Sequence, residues 1–149
     1  MTLYWDRSAE SSKDKYMGNI TDGVDLYDFE GYKIYRATDF EFNDAYNITD
    51  GDGNPTFLEP YVQNGVRAQW DLVDGKSGWH PVDLNGIKFY LGDDTGLTHS
   101  YVDHNVVNGQ RYYYAVVSYD YGGDLSNNII PSDSPMRLRV NPLTGAVSL

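Results

Sequence analysis

Period-two alternation of apolar and polar positions dominates this chain. Tyr32-Lys33-Ile34-Tyr35-Arg36 predicts a strand with Tyr32 and Ile34 on one face and Lys33 and Tyr35 on the other. Residues 111–119 predict the strongest strand. Tyr112, Tyr114 and Val116 lie on one face, and Tyr113, Ala115, Val117 and Tyr119 on the other. A strand apolar on both faces is expected to be central or covered on its second side. Shorter strands are predicted at Leu3-Tyr4-Trp5, residues 66–73, residues 87–91 and Ser100-Tyr101-Val102. A last one has Met136, Leu138 and Val140 alternating with Arg137 and Arg139. Residues 7–28, 38–60 and 122–131 are rich in turn signals, and Asn85-Gly86 predicts a tight hairpin. No window carries a convincing helical period. Short strands separated by turn-rich loops predict an all-β antiparallel sandwich.

Composition narrows this picture. The length of 149 residues fits one domain, 1–149, able to bury a sizeable core. Without Cys, disulfides, zinc-thiolate sites and thiol catalysis are excluded. Of the 22 acidic residues 18 are Asp, and the net charge is −11, which disfavours nucleic acid and anionic membrane surfaces as partners. Aromatics are abundant, with 14 Tyr, 5 Phe and 3 Trp, which argues against disorder. No apolar run approaches a membrane span. Met1-Thr2-Leu3-Tyr4-Trp5-Asp6 has neither region of a signal peptide and reads as the start of a mature or excised module.

Several segments in order carry a resemblance. They are Tyr4-Trp5-Asp6, Gly31-Tyr32-Lys33-Ile34-Tyr35-Arg36 and Ser100-Tyr101-Val102-Asp103, followed by Val106, Gly109, Tyr112, Tyr114, Val116 and Asp120. Together they resemble a fibronectin type III domain, an immunoglobulin-like antiparallel β-sandwich, over residues 3–37 and 98–140. The resemblance implies that Trp5 lies on strand B, Tyr32 and Ile34 on strand C, Asp103 at the end of strand E, and Tyr112, Tyr114 and Val116 on strand F. Tyr112 would be the tyrosine corner, its hydroxyl bonded to nearby backbone. Residues 120–134 resemble the F–G loop and 135–140 strand G. Strand A has no counterpart, and 38–97 exceeds the matching region of an ordinary domain. That stretch is expected to be an insertion with its own hairpin, packed on the sandwich over Tyr35, Tyr113 and Tyr119. Such elaborated domains are similar to modules of bacterial surface and secreted proteins, which implies an extracellular or cell-surface location.

The candidate chemistry is sparse. Asp50-Gly51-Asp52-Gly53-Asn54 places oxygen donors at alternating positions on a glycine-relaxed backbone, as calcium loops do. With Glu59 reaching in, Asp50, Asp52 and Asn54 are candidate calcium ligands; the alternative is a plain acidic turn. Pro55 and Tyr61 depart from the EF-hand pattern. Asp22, Asp25 and Asp28, and the Asp93-Asp94 pair, read as solvated loops. His99 and Ser100 are strand neighbours pointing to opposite faces, so they cannot form a base–nucleophile pair. No hydrolase, zinc-protease or phosphate-loop motif occurs, and no enzyme is expected. Trp70, Trp79 and Tyr61 could stack on sugar rings, against the alternative that they form the insertion's own core. The leading expectation is a non-catalytic module for spacing, adhesion or assembly with neighbouring modules or other chains, by strand addition at the edge beside strand B. The alternative is a carbohydrate-binding module recognising a polysaccharide.

Overall fold

A computed structural model describes residues 1–13, 27–49, 55–123, 128–136, 139–140 and 147–148. In chain order the strands are β1 (Thr2–Tyr4), β2 (Phe29–Ala37), β3 (Tyr46–Thr49), β4 (Pro55–Leu58), β5 (Val62–Gln63), β6 (Val66–Arg67) and β7 (Gln69–Asp71). They continue with β8 (Trp79–Leu84), β9 (Ile87–Tyr90), β10 (Ser100–Val102), β11 (Tyr113–Asp120), β12 (Arg139–Val140) and β13 (Val147–Ser148). Short 3-10 turns at Ser8–Ser11 and Asn43–Ala45 are the helical elements among the described residues. The protein is all-β, as its alternation predicts, and every strand pairing among the described residues is antiparallel.

The principal sheet has the order β11-β2-β7. β2 is therefore its central strand, and all of its residues except Arg36 are buried. The sequence points to 111–119 for that place. β11 does have apolar residues on both faces, but it has β2 on one side and, on the other, mainly the irregular segment 132–134. That segment bridges Tyr119 to Asp133 and bonds Ser134 N–H to the Ser118 carbonyl at 2.7 Å. Pairing with β11 thus starts earlier than the predicted 135–140, and β12 pairs with β13 instead.

Each face of β2 meets a different layer. Tyr35 and Ala37 pack with Phe42, Ala45 and Val117, and Leu58 joins them, so part of 38–97 covers this face. Tyr32, on the other face, meets Trp5 (ring centroids 5.9 Å apart), and Trp5 meets Trp70 of β7 at 5.8 Å. Trp70 in turn meets Tyr101 of β10 at 5.5 Å. These rings join the principal sheet to the two-stranded sheet β1-β10.

Two tight turns order the 62–90 region. Asn85 (φ 53°) and Gly86 (φ 84°) close the predicted β8–β9 hairpin. Asn64 (φ 53°) and Gly65 (φ 82°) close a second, between β5 and β6. Both have the two left-handed central residues of a type I′ turn. The expected 66–73 strand is split at Ala68 into β6, which pairs with β5, and β7, which pairs with β2.

Candidate functional site

The most chemically unusual place is a cleft of about 60 Å³ on the Tyr35 face of β2, lined by Lys33, Phe89, Trp79, Arg67 and Asp133 among others. Strand alternation sends Lys33 to this face, and the β8–β9 hairpin brings Phe89 over it. The Lys33 ammonium lies 3.5 Å from the Phe89 ring centroid and 4.4 Å from that of Tyr119. It donates to Asp133 Oδ1 at 3.1 Å, with side-chain exposures of 6% for Lys33 and 28% for Asp133. The Tyr35 hydroxyl donates to the other oxygen, Asp133 Oδ2. Burial pushes the Lys33 ammonium down to about 8, against the opposing pull of Asp133.

Asp133 is held in place through its neighbours. Ser132 donates from its backbone N–H and its hydroxyl to the Asp120 carboxylate, at 2.8 and 2.7 Å. Asp120 N–H returns a bond to the Ser132 carbonyl at 3.1 Å. On the far wall Gln69 donates to the Tyr90 and Leu91 carbonyls, both at 2.9 Å. Tyr119 also donates to the Leu91 carbonyl. At the mouth Trp79 is 57% exposed and meets Tyr90 edge-on at 5.0 Å. Arg67 lies over Tyr90 and pairs with Glu59 at 3.6 Å.

A second polar centre is structural. Asp103, 1% exposed, accepts from Arg36 at 2.8 Å, Tyr114 at 2.7 Å, Tyr61 at 3.2 Å and Asn105 N–H at 2.8 Å. Burial alone would raise its pKa, but the bonds from Tyr114 and Arg36 outweigh that and hold it below the ordinary carboxylate value. Arg36 also lies 3.9 Å from the Tyr61 ring centroid. This hub ties the end of β10 to β2 and β11.

The expected site residues are distributed as follows. Asp50, Asp52 and Asn54 lie outside the described residues, as do Asp22 and Asp25. Glu59 is at the cleft mouth with Arg67, and no group of three or more metal-ligating side chains occurs among the described residues. Trp70, Trp79 and Tyr61 do not converge. Trp70 belongs to the inter-sheet rings, Tyr61 meets the same Tyr101 ring at 6.4 Å while bonding Asp103, and Trp79 stands apart at the cleft mouth. Of the expected structural set, Tyr32 and Ile34 are buried, and Trp5, Tyr112, Tyr114 and Val116 are half-buried. Val107 N–H donates to the Tyr112 hydroxyl at 3.2 Å, a backbone bond five residues upstream. Lys33 has one sequence signal, a lysine inside an aromatic strand, whereas nothing near Asp133 announces its role.

Comparison of the chain with protein-family models, with curated proteins and with solved structures finds no match in any of the three.

Proposed function

We propose that the chain is a non-catalytic interaction module of a secreted or surface protein, built on a fibronectin type III-like sandwich, which assembles with another chain by strand addition at β1. The fold part of this reading is supported by the pairings β1-β10 and β11-β2-β7, which follow the B–E and F–C–C′ order of such sandwiches. Trp5 between two sheets and the backbone bond to Tyr112 support it as well.

The open edge of β1 carries the functional part. Among the described residues β1 pairs with β10 alone. The flanking bonds, Trp5 N–H to the His99 carbonyl and Asp103 N–H to the Met1 carbonyl, set the ladder's phase. In an antiparallel pair bonded and non-bonded positions alternate. Leu3 therefore faces β10 with its backbone groups, while those of Thr2 and Tyr4 face outward. Tyr4 is also 79% exposed, offering a side chain to the incoming strand. An unpaired strand edge is a template for another chain.

Sedimentation velocity over a wide concentration range tests this. Association should strengthen with concentration. Tyr4→Pro, which removes an outward N–H and leaves the β1-β10 bonds in place, should weaken it by about tenfold or more for the ~1 kcal/mol net worth of each lost edge bond and the added steric block. A wild-type chain that stays monomeric at millimolar concentration would sink the proposal.

A further inference from the structure

We propose that Lys33 and Asp133 form an intramolecular amide bond autocatalytically, cross-linking β2 to the segment that follows β11. The pair is already at reacting distance, with Nζ 3.1 Å from Oδ1. Both partners are fixed, Lys33 in the middle of a central strand and Asp133 beside the bonds that stitch residues 132 and 134 to β11. Chain entropy therefore contributes little to the barrier. Burial favours the free amine of Lys33 over its ammonium, since the side chain is only 6% exposed. Burial lowers the Lys33 pKa to about 8, so a usable fraction of free amine exists near neutrality.

The chemistry balances without a co-reactant. The ammonium gives one proton to the Asp133 carboxylate, leaving an amine beside a carboxylic acid. The amine lone pair attacks Cγ, and a C–N bond forms in a tetrahedral intermediate. One Cγ–O bond then breaks, and that oxygen leaves as water with two hydrogens, one from the acid and one from the amine. Tyr35, bonded to Oδ2, is the catalytic residue that stabilises the developing oxyanion and relays the proton. No atom is oxidised or reduced. The product replaces a buried ammonium and a half-buried carboxylate by one neutral amide.

Intact-mass measurement on the full chain tests this directly. The protein should weigh less than its sequence by one water. A digest should contain one branched peptide joining the Lys33 and Asp133 segments. Lys33→Arg should restore the sequence mass, and Tyr35→Phe should slow the loss by about a hundredfold, the low end for removing a positioned proton donor. Cyclisation at an Asp-Gly step such as Asp74-Gly75 also loses water, but it persists in Lys33→Arg and yields no branched peptide. A wild-type chain that keeps its full mass after long incubation, or that loses water without the branched peptide, overturns the assignment.

Discussion

Glu30 has no exposed surface, and neither carboxylate oxygen has a hydrogen-bond partner among the described residues. Burial, then the charges of Asp74, Asp71 and Asp94, push its pKa up to about 8, while Lys76 pulls the other way. The folded state thus holds this proton more tightly than the unfolded chain. Glu30 contributes stability in full below about pH 4.5, and that contribution is lost as pH rises to about 8. Lys33, as a free amine, has the opposite sense. Its pKa is depressed from 10.5 to about 8, so stability rises with pH between those values. Together they produce a stability minimum near pH 8. Glu30→Gln should raise the melting midpoint at pH 8 by about 5–10 °C, from a few kcal/mol at roughly 2–4 °C each, and leave it little changed at pH 4. Thermal melts across this range check it, and an amide at Lys33 would abolish the rising arm alone.

At the scale of elements, the central place of β2 depends on two close approaches. A Cβ on Gly31 would lie 2.2 Å from the Trp70 carbonyl oxygen and 2.8 Å from the Tyr119 hydroxyl, so β7 would have to move away. Gly31→Ala should cost about 3 kcal/mol, the upper end of the usual ~1–3 kcal/mol for overpacking, because the nearest atom is backbone. Gly86→Ala meets no atom within 4 Å and should cost only the ~1 kcal/mol of a left-handed backbone. Urea midpoints of the two variants give the comparison. That β2 is a strand was legible in its alternation. Its rank was not, because rank depends on β7, and no Gly, Pro or Asn marks the break at Ala68 where β6 goes to β5 and β7 to β2. The same limit applies to the cleft. A lysine among aromatics is visible locally, but its partner is 100 residues away and no short-range pattern links them. Trp70, Trp79 and Tyr61 are near one another in sequence, yet Trp70 and Tyr61 pack on Tyr101 while the β8–β9 hairpin carries Trp79 to the cleft mouth.

Over the whole molecule, the aspartate surplus has a structural use. Asp71 accepts from Asp94 N–H, Thr95 N–H and the Thr95 hydroxyl, at 2.7, 2.8 and 2.8 Å. Asp94 accepts from the Asp74 and Gly75 amides, and Asp44 from the amide and hydroxyl of Thr38. The Gly75 bond lowers the Asp94 pKa; at Asp44 burial opposes the Thr38 bonds, which prevail. Their stabilisation is present above pH 3.8 and is lost as pH falls through the lowered values. These loops are closed by carboxylates that accept backbone amides, a pattern set by Asp and Gly spacing. The net charge of −11 still opposes compaction. If residues 50–54 hold calcium, EDTA should lower the melting midpoint by several degrees, and calcium should restore it beyond sodium chloride of equal ionic strength. Equal effects of the two salts would reduce calcium to a screening ion.

The Lys33–Asp133 contact also determines how the chain would bear tension. It joins two points 100 residues apart, and β7 itself, the Asn64-Gly65 and Asn85-Gly86 hairpins and the Asp103 hub all fall between them. Ion-paired, the contact is one weak tie among many, and a pull on the chain ends would peel the sheets in sequence. Joined by an amide, it would carry the force across β2 and bypass everything enclosed. About 350 Å of extensible chain would be withheld, at roughly 3.5 Å per residue. The enclosed loops would then be the part of the molecule shielded from the load.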